Sequence, residues 1–431
     1  MDEHRELQEQ EQSEPNFEDK FSGVLTDTAK GLKGVYLSAL FDVAKQWQRE
    51  LRHEKKEGLE SKPRQIGKDF DETFNGEGGD GVDGRIDTIA LGENDKAFII
   101  TDIHGEEDSM QIALAKVIAA LSESDDKVHL VSLGDFSCYE GDESIEPMKA
   151  FLLLEALKKV DLTKERTQES GDKKTLDAVV RESLLASGLP EDSISKLLDK
   201  IRDNLEIHYL AGNGELYIPP TNQIAEQLGR DGNPMANRKG EELFRGLPLC
   251  AMMRTGKRDI FAAHFLPPLV GEKSWQEDGL ASINDPSISE LRVEAGVWGG
   301  YDKKITQDTI AARANEAEED SEDFWPIGRH TIAEVAGVRN QTEKRITYSG
   351  FPTFQRILSK KGRENGLYLF GHESALAASA GDKGFFMAEE DKDQAICFHS
   401  GGGPKVTKKI MMEINGSGDV RPIVLKEENN G

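Results

Sequence analysis

The sequence predicts an α/β fold, and three observations predict it. Five short apolar runs, rich in branched and aromatic residues, each finish on Asp, Asn or His. Helix-period segments stand between the earlier runs and give a βαβ rhythm. Late strand-like runs at 385–387, 394–398, 409–414 and 420–425 follow one another without helices, and predict an antiparallel second sheet.

The chain has 431 residues, enough for one large or two ordinary domains. Its apolar fraction is 37% and its charged fraction 31%, which points to polar tails and solvated helix faces around an ordinary core. The net charge of −26 argues against a binder of long nucleic acid, which needs a basic footprint, and against docking on anionic lipid. Phosphate ligands stay open if bound cations reverse the sign locally. Three cysteines, Cys138, Cys250 and Cys397, are far apart and form no CxxC pair, so free thiols in a reducing compartment are expected. No signal peptide and no apolar span is visible, so the expected location is cytoplasmic, with export by a non-classical route left open.

Residues 1–20 read as a disordered acidic tail. Residues 21–85 read as an N-terminal helix, to about 57, and a Gly/Asp-rich lead-in. The stripe Val24, Leu25, Leu32, Val35, Tyr36, Leu40, Val43 and Trp47 packs that helix on its own domain or anchors a partner. The lead-in lacks the alternating acids of a calcium loop. The main domain spans 86–425, and 426–431 is a polar tail. Its first strand is predicted at 86–91, a crossover helix at 110–122, and further helices at 144–160, 174–187 and 191–203. A helical insertion is placed at about 163–203 and a second insertion at about 302–341. The acidic run at 316–323 reads as a solvated helix end.

The strand ends carry the chemistry. Residues 97–100 run into Thr101-Asp102-Ile103-His104-Gly105, where Asp102 and His104, two apart on an extended segment, share a side. Residues 128–133 run into Gly134-Asp135, and 205–211 into Gly212-Asn213. Residues 259–263 end on His264, and 367–370 on Gly371-His372. In α/β sheets, ligands bind beyond the carboxyl ends of strands. Asp102, His104, Asp135, Asn213, His264 and His372 are therefore the candidate metal ligands. Six N/O donors without thiolate suit two divalent ions, with Mn favoured and Fe, Zn or Mg as alternatives. His208 and His129 fall inside strands and read as hydrogen-bonded core residues.

The order D-x-H-G, G-D, G-N, lone His and G-H resembles the calcineurin-like metallophosphoesterases, most closely their phosphoprotein (Ser/Thr) phosphatase branch. Val297-Trp298 with Asp302, residues 394–400 and residues 409–414 echo that branch further. The resemblance implies a metallophosphoesterase-type β-sandwich flanked by helices, with a helical insertion. It implies a two-metal phosphoester hydrolase, with Asp102 and His104 on the first ion, Asp135 bridging, and Asn213, His264 and His372 on the second. The implied substrate is a phosphoprotein or a small phosphoester. The N-terminal helix or the helical insertion would offer a surface to a protein partner.

The chain departs from that pattern where the leaving group is handled. Gly212-Asn213-Gly214-Glu215 stands for G-N-H-E, so the family's general-acid His is replaced by Gly214. Residues 134–141 stand for G-D-x-x-D-R-G, with Cys138 at the orienting Asp and Tyr139 at the phosphate-clamping Arg. Candidates for a substitute acid are Glu215, Tyr139, Glu140 and His399. Two other readings follow: a catalytically impaired pseudophosphatase acting as a binding module, and a nucleotide-directed phosphoesterase.

Overall fold

The computed structural model describes residues 16–32, 35–51, 81–83, 85–136, 144–159, 174–216, 240, 243–244, 246–264, 300–301, 329–331, 345–349, 366–372, 377, 383–390, 393–401 and 406–427. The tail at 1–15, most of the lead-in, the acidic run at 316–323 and the start of the helical insertion lie outside them.

Two mixed sheets face each other. In the first, β1 (Gly81–Asp83), β2 (Ile86–Ala90), β6 (Cys250–Arg254), β7 (Asp259–Ala263), β11 (Leu367–Phe370), β13 (Asp393–Phe398) and β12 (Phe385–Glu390) lie side by side in that order. In the second the order is β15 (Val420–Glu427), β14 (Lys408–Asn415), β3 (Lys96–Ile100), β4 (Val128–Ser132) and β5 (Leu205–Tyr209). Each sheet contains a parallel triplet: β3, β4 and β5 in one, β7, β11 and β13 in the other. A small third sheet joins β8 (Gly300–Tyr301), β10 (Arg345–Ser349) and β9 (Arg329–Thr331), and β9 falls inside the second predicted insertion.

Alternation along the strands sorts the core. Ala97, Ile99, Val131, Met253, Ile260, Leu369, Ile396 and Met412 fill the layer between the sheets. Phe98, Ile100, Val128, Leu130 and Ile207 point the other way, into a helical layer. That layer holds α1 (Phe17–Gly31), α2 (Val35–Leu51), α3 (Glu107–Glu123), α4 (Glu146–Lys158), α5 (Leu176–Ala186) and α6 (Glu191–Asn204). In α4 every residue from Pro147 to Leu157 is buried, because this helix packs against α1, α2 and α6 while its ring Phe151 meets Tyr209 of β5.

Several boundaries differ from the sequence reading. The N-terminal helix starts at Phe17, inside the predicted tail, because Asn16 caps it by accepting from Asp19 N at 2.8 Å. It is two helices rather than one, and Phe21, Leu25, Leu37 and Phe41 bury its stripe on the domain itself. The side chain of Trp47 is outside the described residues. The lead-in ends in β1, which pairs antiparallel with β2. The late strands do not make an antiparallel second sheet. β12 and β13 extend the first sheet, with β13 parallel to β11, and β14 pairs antiparallel with β3 in the second. The reason is burial on both faces: Ile410, Met412 and Ile414 line the inter-sheet core while Met411 joins the helical layer, so β14 takes an interior place.

Two buried polar groups stand out. Asp87 of β2 pairs with His208 Nδ1 of β5 at 2.8 Å, and His208 Nε2 meets His129 Nδ1 of β4 at 3.2 Å, a polar chain that joins the two sheets. Burial, then the neighbouring His208, pushes His129 well below the ordinary imidazole range. Within α4, burial pushes the Glu155 carboxyl up to about 8, against a smaller pull from Lys159 and Lys158. An unfolded chain releases that proton near pH 4.5, whereas the folded chain keeps it to about 8. Stability should therefore fall as pH rises through that window. Glu155→Gln should match wild type in melting temperature near pH 4.5 and exceed it increasingly up to pH 8. A difference that does not vary with pH would show that this carboxyl is not the source.

Candidate metal centre

Because both parallel triplets point their carboxyl ends to one rim of the sandwich, six strands end there, and five of them deliver described donor side chains. Asp102 and His104 follow β3, Asp135 follows β4, and Asn213 opens the short helix α7 (Asn213–Leu216) after β5. From the first sheet, His264 follows β7, His372 follows β11 and His399 follows β13. The ends are tied together across the sheets. Ser400 N donates to Thr101 O at 2.9 Å, Thr101 N donates to Ser400 Oγ at 3.1 Å, and His372 N donates to Asp102 Oδ2 at 2.9 Å.

Two adjoining donor groups result. Asp102, His104 and His399 present ligand atoms within 4.8 Å of one another, and so do Asp135, His264 and His372. His264 lies between them, with Nδ1 4.0 Å from Asp102 Oδ2 and Nε2 3.4 Å from Asp135 Oδ2. His264 Nε2 and His372 Nδ1 are 3.2 Å apart. Asp102 Oδ2 is taken by Thr101 Oγ1, at 2.6 Å, and by His372 N. Its Oδ1 faces His104 Nε2 at 3.5 Å and His399 Nδ1 at 3.9 Å.

The backbone at the rim is strained. Asp102, His104, Asp135 and His372 have φ of 50°, 48°, 57° and 63°, and among the described residues no other non-glycine has positive φ. Such residues persist where the surroundings over-determine them, and they cluster at functional sites. Two glycines permit the approach. A Cβ on Gly134, at φ 99°, would lie 2.1 Å from Gly212 N, and one on Gly371 would lie 1.9 Å from Asp102 Oδ2.

The electrostatics favour a bound cation. Burial alone would raise the Asp102 carboxyl, but His399, His264 and His104 outweigh it and hold the group well below the ordinary range. Burial, then the neighbouring Glu215, pushes Asp135 well above it. Burial lowers His264 to about 3 and His372 to about 4, so both imidazoles stay neutral at pH 7 with lone pairs to offer. The two aspartates and the neutral imidazoles of His264 and His372 lack a positive charge that a divalent ion would supply, and such an ion would displace the proton that burial favours on Asp135. The residues present fit such ions.

The rim thus brings together Asp102, His104, Asp135, His264 and His372. Asn213 has its backbone beside them, since Gly214 N donates to Asp135 Oδ1 at 2.7 Å, while its side chain is outside the described residues. His399, which the sequence offers as a substitute acid, stands instead among the ligand atoms of Asp102 and His104. The signal for it was present: residues 394–398 form a sixth strand-like run ending on His. Glu215 also has a different place. Its carboxylate accepts from Asp135 N, Phe136 N, Gly212 N and Tyr209 Oη, at 2.8, 3.0, 2.8 and 3.2 Å, and is fully buried. With both oxygens so engaged, it anchors the turn rather than facing a leaving group. Tyr139, Glu140 and Cys138 are outside the described residues; Cys250 and Cys397 are buried thiols that form no disulfide.

No family model matches the chain, and no curated protein matches it. No helix among the described residues is long and apolar enough to cross a membrane.

Elemental analysis of chain dialysed against Mn²⁺ should report two ions. Saturation of each site at about 100 times its Kd should raise unfolding stability by about 2.7 kcal/mol per ion, read as a higher melting temperature. Asp102→Ala or His264→Ala should remove most of that gain. A melting curve that neither Mn²⁺, Zn²⁺ nor a chelator moves would sink the assignment.

Proposed function

We propose that the chain is a two-metal phosphoester hydrolase similar to the metallophosphoesterases, acting on phosphoprotein or a small phosphoester. The observation that carries this reading is the meeting of two largely buried N/O donor groups, side by side, at the carboxyl ends of five strands. Asp102, His104 and His399 would hold one ion. Asp135, the bridge in the resemblance, accepts from the Gly214 amide at Oδ1 and turns Oδ2 to His264, so with His264, His372 and Asn213 it would chiefly hold the other, and Mn is the favoured metal. Two such ions would clamp a phosphoryl group and supply hydroxide near neutral pH.

The protein's own contribution is to fix and dry the donors. Thr101 and the His372 amide hold one oxygen of Asp102, which leaves the other facing the imidazoles. The Gly214 amide holds Oδ1 of Asp135, and Oδ2 faces His264. Proton delivery to the leaving group is the weak part of the design. Gly214 stands at the family's acid position, and Glu215 is engaged by four donors. General acid catalysis contributes roughly 10²–10⁴-fold, and a phenolate needs less of it than an alkoxide. Aryl and tyrosyl phosphates are therefore the preferred esters. The same observation favours a second reading, a binding module that keeps its ions without turnover.

With Mn²⁺ present, wild type should hydrolyse p-nitrophenyl phosphate, and faster than an alkyl phosphate by about 10²-fold or more. Asp102→Ala and Asp135→Asn should each lose at least about 10²-fold of that rate. Equal rates in all three proteins would remove the hydrolase reading. Retained ions with no turnover of any phosphoester would favour the binding module.

A further inference from the structure

We infer that Tyr209 and Glu215 form a positioning clamp that sets the Asp135 side of the centre, and so governs the affinity for one of the two ions more than for the other. The inference rests on the two-ion reading above.

The clamp is built from strand ends that are remote in sequence. Glu215 Oε2 accepts from the amides of Asp135 and Gly212, both at 2.8 Å, so one oxygen ties the end of β4 to the end of β5. Oε1 accepts from the Phe136 amide at 3.0 Å and from Tyr209 Oη at 3.2 Å. These bonds hold Asp135 in its left-handed conformation, at φ 57°, directly after Gly134 has packed against Gly212. From the same short helix, Gly214 N takes Oδ1 of Asp135 and turns Oδ2 toward His264.

Tyr209 fixes the carboxylate in turn. Its ring stands edge-on to Phe136, centroids 5.2 Å apart, and meets Phe151 of α4 at 5.3 Å. Phe136 and Phe151 are themselves 5.0 Å apart. Three packed rings give the phenol one orientation, and its hydroxyl then points at Glu215. The Asp102 group is held by different bonds, from Thr101, Ser400 and the His372 amide. Loosening the clamp should therefore be felt on one side. Outer partners of this kind typically change metal affinity by about 10- to 100-fold.

The test uses the full chain and Mn²⁺, with ion uptake measured by equilibrium dialysis. In a His104→Ala background the Asp135 group remains whole, and Tyr209→Phe should weaken the remaining ion about tenfold. In a His372→Ala background the Asp102 group remains whole, and the same change should alter affinity less than about twofold. Without metal, amide exchange at Asp135, Phe136 and Gly212 should quicken in Tyr209→Phe. Glu215→Gln should act in the same direction and more strongly, because its amide nitrogen would face N–H donors. Tyr209→Phe keeps the ring packing, so it carries the test if Glu215→Gln does not fold. Equal weakening in both backgrounds, or unchanged uptake in both, would overturn the clamp and leave the two-ion reading standing. A wild-type chain that takes up no ion would overturn that reading, and the clamp's role with it.

Discussion

The centre depends on two sheets ending at the same place, and Asp102 is where they are tied. Its Oδ2 accepts from the amide of His372, 270 residues away and in the other sheet. The reciprocal bonds between Thr101 and Ser400, 299 residues apart, close the same seam. Gly371 has no side chain because Asp102 occupies that space. Loop closure grows only logarithmically with length, so such distant ties are affordable in entropy once the inter-sheet core has formed. They depend on that core. If the sheets slid, the β7–β11–β13 triplet would carry its three histidines away from the aspartates together.

Among the described residues, the rim is also where the backbone departs most from relaxed geometry. Four non-glycine residues with positive φ each cost of order 1–3 kcal/mol. Their sum is comparable with the net stability of a whole domain. Strain on that scale persists only where each residue is held by several bonds at once. Asp135 shows how this is done: its amide, its carbonyl and its carboxylate are all engaged, by Glu215, His104 and Gly214. The buried Asp87–His208–His129 chain lies on the same inter-sheet face but among the strand interiors, before the turns, and its backbone is relaxed. Burial of polar groups alone therefore does not account for the strain. It tracks the ends that converge.

Much of this was legible in the sequence because the strands obey simple patterning. Short branched runs closed by Gly-Asp or Gly-His show where strands stop, and α/β topology says which ends matter. Phe398-His399 follows the same rule, yet its strand sits among late runs whose pattern predicts a separate sheet, so the sequence offers His399 as an acid and not as a ligand. Glu215 is hard to place from sequence for a different reason. A Glu two residues past a candidate ligand carries no sign of whether it faces solvent, substrate or backbone. Only the chain reversal at α7, which turns its carboxylate back to the amides of Asp135 and Phe136, decides that. The sheet membership of β12–β15 was equally hidden, since alternation within a strand fixes its faces and not its neighbours.

Charge connects the surface to the centre. A chain of net charge −26 repels phosphate at long range, the more so at low ionic strength. The rim offers little to offset this, for Asp102 is held ionised and the imidazoles of His264 and His372, lowered to about 3 and 4, carry no positive charge at neutral pH. An anionic substrate could approach such a site only if something positive were already there. Divalent ions would resolve both difficulties at once, by neutralising the aspartates and by giving an acidic protein one local place of opposite sign. The acidity that argues against a nucleic-acid binder is, at this rim, an argument for cations.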